Sequence, residues 1–108
     1  MKSLYELKEL CVGVCPIGDV SLAHLADLTS MQRLDLWETP ITDAGLVHLK
    51  KMRRLEHLDL TNTKVTDAGV DQLIGLGSLR TLYLKGTAVS DHGAARLTKA
   101  LPMLKIIR

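Results

Sequence analysis

Three side chains able to do acid–base or metal chemistry fall at matching positions in the middle of the sequence. Asp35, His57 and Asp59 lie in two segments, RLDLW and HLDLT, that start 24 residues apart. On neighbouring strands they could hold a divalent metal or pair a base with an acid. The sequence supplies no obvious fourth ligand and no nucleophile paired with a base, so mixed charges on a solvated face explain the trio better. We therefore predict no catalytic role, no metal site and no cofactor.

RLDLW and the equivalent segment TLYLK, which starts 24 residues after HLDLT, carry two of the chain's three aromatic side chains, Trp37 and Tyr83. In a strand written xLxLx, the residues beside the leucines share one face. Trp, Tyr and Arg are the commonest hot spots of protein interfaces, although Trp37 could instead lie flat over Thr61 or Pro40. We predict a surface that binds a protein partner through Arg33, Asp35, Trp37, His57, Asp59, Thr61, Tyr83 and Lys85.

A repeat of 24 residues must position these side chains. Six positions recur every 24 residues: two leucines, a threonine, a β-branched residue, an aspartate and a glycine. The three sets are Leu34, Leu36, Thr39, Ile41, Asp43 and Gly45; Leu58, Leu60, Thr63, Val65, Asp67 and Gly69; and Leu82, Leu84, Thr87, Val89, Asp91 and Gly93. A fixed period of this length is the signature of a solenoid. We divide the chain as one domain, 1–108, with a partial repeat at 1–9, repeats at about 10–33, 34–57, 58–81 and 82–105, and a terminal strand at 106–108.

Each repeat is predicted to contain a strand and then a segment that leads back to the start of the next strand, which we call the return leg. Apolar and polar residues alternate in QRLDLWE, as in a strand with one covered face. In the leg DAGLVHLKKM, apolar residues three apart indicate a helix with one stripe facing the core. We expect Asp43, Asp67 and Asp91 to cap the helices, with Thr42, Thr66 and Ser90 as the alternative. The glycines that follow should allow each helix to approach its neighbour closely.

The pattern LxxLxLxxTx[IV][TS]D, from about Leu7 to Arg108, resembles leucine-rich repeat proteins. The TDAGL segment is similar to the cysteine-containing subtype of F-box substrate receptors and to short repeats of many bacterial proteins. In that subtype a cysteine often takes the place of Thr39, Thr63 and Thr87, and here Cys15 alone keeps it. The resemblance implies an α/β solenoid, with parallel strands on the concave face and short helices on the convex face. It also implies a protein-binding scaffold without enzymatic activity.

Composition narrows the location and the partners. The formal net charge is +2, which favours neither nucleic acid nor a membrane surface. The cationic run Lys50, Lys51, Arg53 and Arg54 suits a helix C-terminus, and the equivalent positions of other repeats are not basic. We read no secretion signal or membrane span, and two cysteines make no disulfide scaffold. We therefore predict an intracellular protein, most simply cytoplasmic.

Three functions remain open at this point. The favoured one is a protein–protein interaction module that binds through the concave face. The first alternative is a structural subunit, or one section of a larger assembly. We identify no polar capping repeat at either end, and terminal strands expose unpaired edges. Such ends would join a second copy or a partner subunit through residues such as Leu7 and Ile106. The second alternative is substrate recognition for a ubiquitin ligase, which requires an adaptor-binding segment.

Overall fold

The computed structural model describes residues 8–11, 13 and 18–108. Five strands form one parallel sheet in chain order: β1 Glu9–Cys11, β2 Arg33–Asp35, β3 His57–Asp59, β4 Thr81–Tyr83 and β5 Lys105–Ile107. Leu34 pairs with Leu58 and Leu58 with Leu82, so the register follows the 24-residue period. The predicted α/β solenoid is confirmed.

The return legs lie on the opposite side from the strands. They comprise helix α1 Asp19–Leu25, helix α2 Asp43–Leu46 with the 3-10 turn Val47–Lys51, helix α3 Asp67–Val70 with the 3-10 turn Asp71–Leu73, and helix α4 Asp91–Ala100. The second and third legs tighten because their buried residues are spaced by three, as in Leu46, Leu49 and Met52. The fourth leg stays α-helical, and its buried Leu97 and Leu101 are spaced by four.

The core is a stack of leucines without a large ring. The leucine of each of β2, β3 and β4 is buried, and so are the leucine two residues further on and apolar residues of each return leg. In the turn after each of these strands a threonine hydroxyl donates to the carbonyl three residues earlier: Thr39 to Leu36, Thr63 to Leu60 and Thr87 to Leu84. The threonines thus satisfy carbonyls of their own turn. Cys15, the predicted equivalent in the first repeat, lies outside the described residues.

The predicted aspartate caps are wrong. Thr42, Thr66 and Ser90 occupy the N-cap positions, and each aspartate is the first residue of its helix. The aspartate carboxylate instead accepts two hydrogen bonds from the next repeat. Asp43, for example, accepts from the Thr66 backbone N–H at 2.7 Å and from its hydroxyl at 2.5 Å. A carboxylate with two donors fixes how one repeat sits on the next.

A glycine makes room for this carboxylate. A methyl group on Gly69 would collide with Asp43 Oδ1, and one on Gly93 would collide with Asp67 Oδ1. The glycines therefore permit close approach, as predicted, although what approaches is a side chain of the preceding repeat. We call this arrangement the inter-repeat seam; it consists of Asp19, Thr42 and Gly45; Asp43, Thr66 and Gly69; and Asp67, Ser90 and Gly93.

Candidate functional site

Three strands bring the predicted contact residues into rows. Arg33 pairs with His57 and His57 with Thr81, while Asp35 pairs with Asp59 and Asp59 with Tyr83. Neighbouring parallel strands lie about 4.8 Å apart, so side chains within a row can touch. The predicted surface is contiguous at its centre.

Asp35 lies at the middle of a charged cluster on this face. Its Oδ2 accepts a 3.1 Å hydrogen bond from Arg33 Nε, and its carboxylate raises the pKa of Arg33 through that bond and through Coulomb attraction. His57 Nε2 lies 3.2 Å from Asp35 Oδ1. That contact is not a hydrogen bond, so Oδ1 has no hydrogen-bond partner among the described residues. Asp35 is only 6% exposed.

Asp59 has a different local role from Asp35. Its Oδ1 accepts from the Thr61 backbone N–H at 2.9 Å and from the Thr61 hydroxyl at 2.6 Å. These bonds form a local turn at the end of β3, as short polar side chains commonly do. The trio of Asp35, His57 and Asp59 is therefore divided between two separate contacts. Within residues 8–11, 13 and 18–108, no group of three His, Cys, Asp or Glu side chains is arranged to hold a metal ion.

The aromatic side chains border the charged cluster. The Trp37 indole lies against Gly13 of the preceding repeat, so closely that a methyl group on Gly13 would collide with the ring. It is half-buried there, a contact that the alternative of packing on Thr61 or Pro40 did not include. On the other side, the His57 and Tyr83 rings meet with centroids 5.2 Å apart and planes tilted by 57°, a favourable geometry for ring pairs.

Lys85 ends the surface as an exposed cation beyond β4. The turn at this edge contains Glu38, Asn62 and Gly86, all with positive φ. Glycine adopts this left-handed conformation freely and asparagine tolerates it. The repeated Gly or Asn one residue after the strand pattern could have predicted the turn in two repeats, but Glu38 gives no such signal.

A sequence match to a known family agrees with the fold described above. A leucine-rich repeat family model matches residues 29–89, more than half of the chain. The protein belongs to the leucine-rich repeat family. No curated protein sequence matches it. Among the described residues, no helix is both long and apolar enough to cross a bilayer.

Solved structures show the same fold at low sequence identity. A leucine-rich repeat protein of Leptospira interrogans is 19% identical with a TM-score of 0.66, over 94% of this chain and 25% of that one. Chaetomium Mex67:Mtr2 gives 20% identity and a TM-score of 0.74, over 92% and 78%. A Listeria monocytogenes internalin, inlF, gives 21% and 0.62, over 96% and 35%. The chain thus spans a quarter to about a third of two of these relatives.

Proposed function

We propose that the protein is a non-enzymatic interaction module that binds a protein partner through the concave face. The observation that carries this proposal is the connected run of accessible side chains across β2, β3 and β4, namely Arg33, His57 and Tyr83 arranged around Asp35, with the half-buried Trp37 two residues beyond β2. Solenoids present extended concave surfaces for binding. Aromatic and arginine side chains held in place before binding lose little conformational entropy on contact.

The eight predicted residues divide by role. Arg33, Trp37, Tyr83 and Lys85 offer accessible surface to a partner. Asp35 is buried and orients Arg33 and His57 instead of meeting the partner first. Asp59 fixes Thr61 at the end of its strand. The expected energetic centre is therefore the aromatic pair Trp37 and Tyr83, with the charges setting specificity.

The test compares two double variants, one on the concave face and one on the return legs. Trp37→Ala with Tyr83→Ala removes the aromatic anchors, whereas Val47→Ala with Ile74→Ala removes two exposed apolar side chains of the return legs. Cross-linked partners recovered from cells are identified by mass spectrometry, then purified and titrated against each variant. The concave pair should weaken binding at least about a hundredfold. Equal affinity of both variants, with unchanged circular dichroism, would reject the concave face as the site.

A second candidate is assembly through the solenoid end. Asp91 continues the aspartate column of the seam, yet its side chain is 98% exposed and meets Arg108. Nearby, Met103 is 73% exposed and Ile106 and Ile107 of β5 are half-buried. Light scattering over a dilution series, with Ile106→Glu as the disrupting variant, tests for a second copy or a partner subunit on this edge. Leu7, the predicted contact at the other end, lies outside the described residues.

We also retain the 24-residue division of the chain and the likeness to the cysteine-containing subtype as proposals. They are supported by the register and by the shared role of Thr39, Thr63 and Thr87. The exposed thiol of Cys11 favours a reducing compartment, and thus an intracellular location. No contact among the described residues favours the ubiquitin-ligase alternative.

A further inference from the structure

A depression lies between the return legs of the second and third repeats, on the side away from the proposed partner surface. Its volume is about 310 Å³, and it is lined by Lys50, Arg53, Asp71, Gln72, Gly75 and Leu76. This volume lies at the lower limit of ordinary ligand sites, so it admits a small group and excludes a large cofactor.

Gly75 leaves this depression open. The equivalent positions of the other repeats carry Asp27, Lys51 and Lys99, each of which has a long or charged side chain. A methyl group on Gly75 would meet no atom within 4 Å. The third repeat thus lacks the side chain that the other repeats place here, and the cations of the second repeat border the vacant space.

The charge of the depression is positive. Lys50 and Arg53 are exposed, and neither lies within ion-pair distance of a carboxylate in the described part of the chain. The one acidic lining residue, Asp71, is held by Arg96 Nη2 of helix α4 at 3.0 Å. Because Arg96 offsets Asp71, the two lining cations remain uncompensated, and Lys51 and Arg54 beside them add to the field.

We propose that this depression binds a phosphate group, either as free inorganic phosphate or as the monoester of a phosphorylated side chain. The guanidinium of Arg53 offers a planar pair of donors suited to an oxyanion, and Lys50 offers a compact charge. Gln72 adds a neutral amide donor. The sequence alone presents the four cations as an ordinary solvated run; the ligand follows from the open space that Gly75 leaves opposite them.

The experiment titrates the 108-residue chain with inorganic phosphate, O-phosphoserine and a short phosphoserine peptide, each against sodium chloride at equal ionic strength. Amide chemical shifts are followed by NMR. Saturable shifts confined to residues 50–54 and 71–76 are expected for the phosphate compounds only. A peptide that binds at least about tenfold more tightly than free phosphate identifies a phosphorylated side chain as the source; the reverse order identifies free phosphate.

Variants distinguish a built site from a general cationic surface. Arg53→Gln should weaken binding about tenfold or more, and Lys99→Gln, which removes a cation of α4 outside the lining, should leave it unchanged. Arg96→Gln should weaken binding about threefold by freeing the charge of Asp71. Gly75→Asp introduces the residue that the first repeat carries at this position, and it should abolish binding while preserving the fold.

Three results would overturn the proposal. The first is a set of shifts that grows linearly with ionic strength and is the same for chloride and phosphate. The second is saturable phosphate binding that Arg53→Gln and Gly75→Asp leave unaltered. Binding of a single-stranded oligonucleotide without binding of any monoester would also reject it, in favour of a phosphodiester surface.

Discussion

The inter-repeat seam and the concave face use the same 24-residue period in opposite ways. At the seam, the same residue types recur: an aspartate accepts from a threonine or serine of the next repeat and lies over its glycine. On the concave face, matching positions vary between repeats, as Arg33, His57 and Thr81 show. The two surfaces are joined by the same buried leucines.

This difference teaches how a repeat protein separates stability from recognition. Each seam fixes the spacing of two repeats by hydrogen bonds that need particular residue types. The concave positions project away from the leucine core, so a change there leaves the register intact. Neighbouring concave side chains are then free to form a local cluster, such as the contact of Arg33 and His57 with Asp35.

Overfilling the seam should have the largest effect. Gly69→Val would drive a branched side chain into the Asp43 carboxylate and against Val65, so we expect a loss of about 3 kcal/mol in the free energy of unfolding. Chemical denaturation measures this loss. Gly75→Val, in the open depression, is the matched control and should stay within about 1 kcal/mol of wild type. Equal losses in both variants would mean that the seam glycine has no special packing role.

Removing the acceptor of the seam should have a smaller effect. Asp43→Ala leaves the Thr66 backbone N–H and hydroxyl without their bonds, which should cost about 2 kcal/mol in denaturation experiments. Asp27→Ala, at an exposed aspartate of the first return leg, is the control and should change stability by no more than about 0.5 kcal/mol. A harmless Asp43→Ala would assign the register to the leucine core alone.

The sequence predicted the sheet well because the leucine spacing determines it. The rows of Arg33 with His57 and of Asp35 with Asp59 follow directly from a strict period and from strand alternation. The sequence did not predict the role of Asp43, since threonine and aspartate, which are adjacent in the repeat, can both cap a helix. Only the packing of successive repeats shows that Asp43 reaches Thr66, 23 residues further along.

The sequence predicted the face on which the candidate site residues lie, but not the contacts that bury them. Alternation places Asp35 on the concave side, but the contacts that bury it come from Arg33 and from His57 of the next strand. Likewise, nothing local to Trp37 indicates that the ring lies over Gly13. Such contacts depend on which side chains happen to be adjacent across strands, and a repeat pattern alone does not encode that.

A concave aspartate should be less important for stability than a seam aspartate. Asp35→Asn removes the ion pair with Arg33 but also a buried charge whose Oδ1 has no hydrogen bond among the described residues. Because these effects oppose each other, we expect a change within about 1 kcal/mol in denaturation experiments, alongside weaker partner binding. A loss as large as that of Asp43→Ala would show that Asp35 holds the sheet together.

Acid should weaken the last contact of the inter-repeat seam, the one between Asp67 and Ser90. The hydroxyl and backbone N–H of Ser90 hold the pKa of the Asp67 carboxyl below its ordinary value, with smaller help from Arg96 and His92 against the effect of burial. A lowered pKa in the folded state means that the carboxylate stabilises the fold above the unfolded pKa, about 3.9. That stabilisation is lost as the pH falls through the folded pKa.

Urea unfolding midpoints should be measured from about pH 6 to about pH 2.5, a range that spans the titration of carboxyl groups. As the pH falls, the midpoint should decrease more steeply for wild type than for Asp67→Asn. Ser90→Ala, which removes the hydroxyl donor at 2.6 Å and keeps the carboxyl, should give an intermediate slope. It also removes the cap of helix α4, so its midpoint at neutral pH should be lower, and only the slope bears on Asp67. Identical slopes in all three proteins would show that the last seam forms equally well with a neutral acid, and that its geometry rests on the glycine and the leucine core instead of on charge.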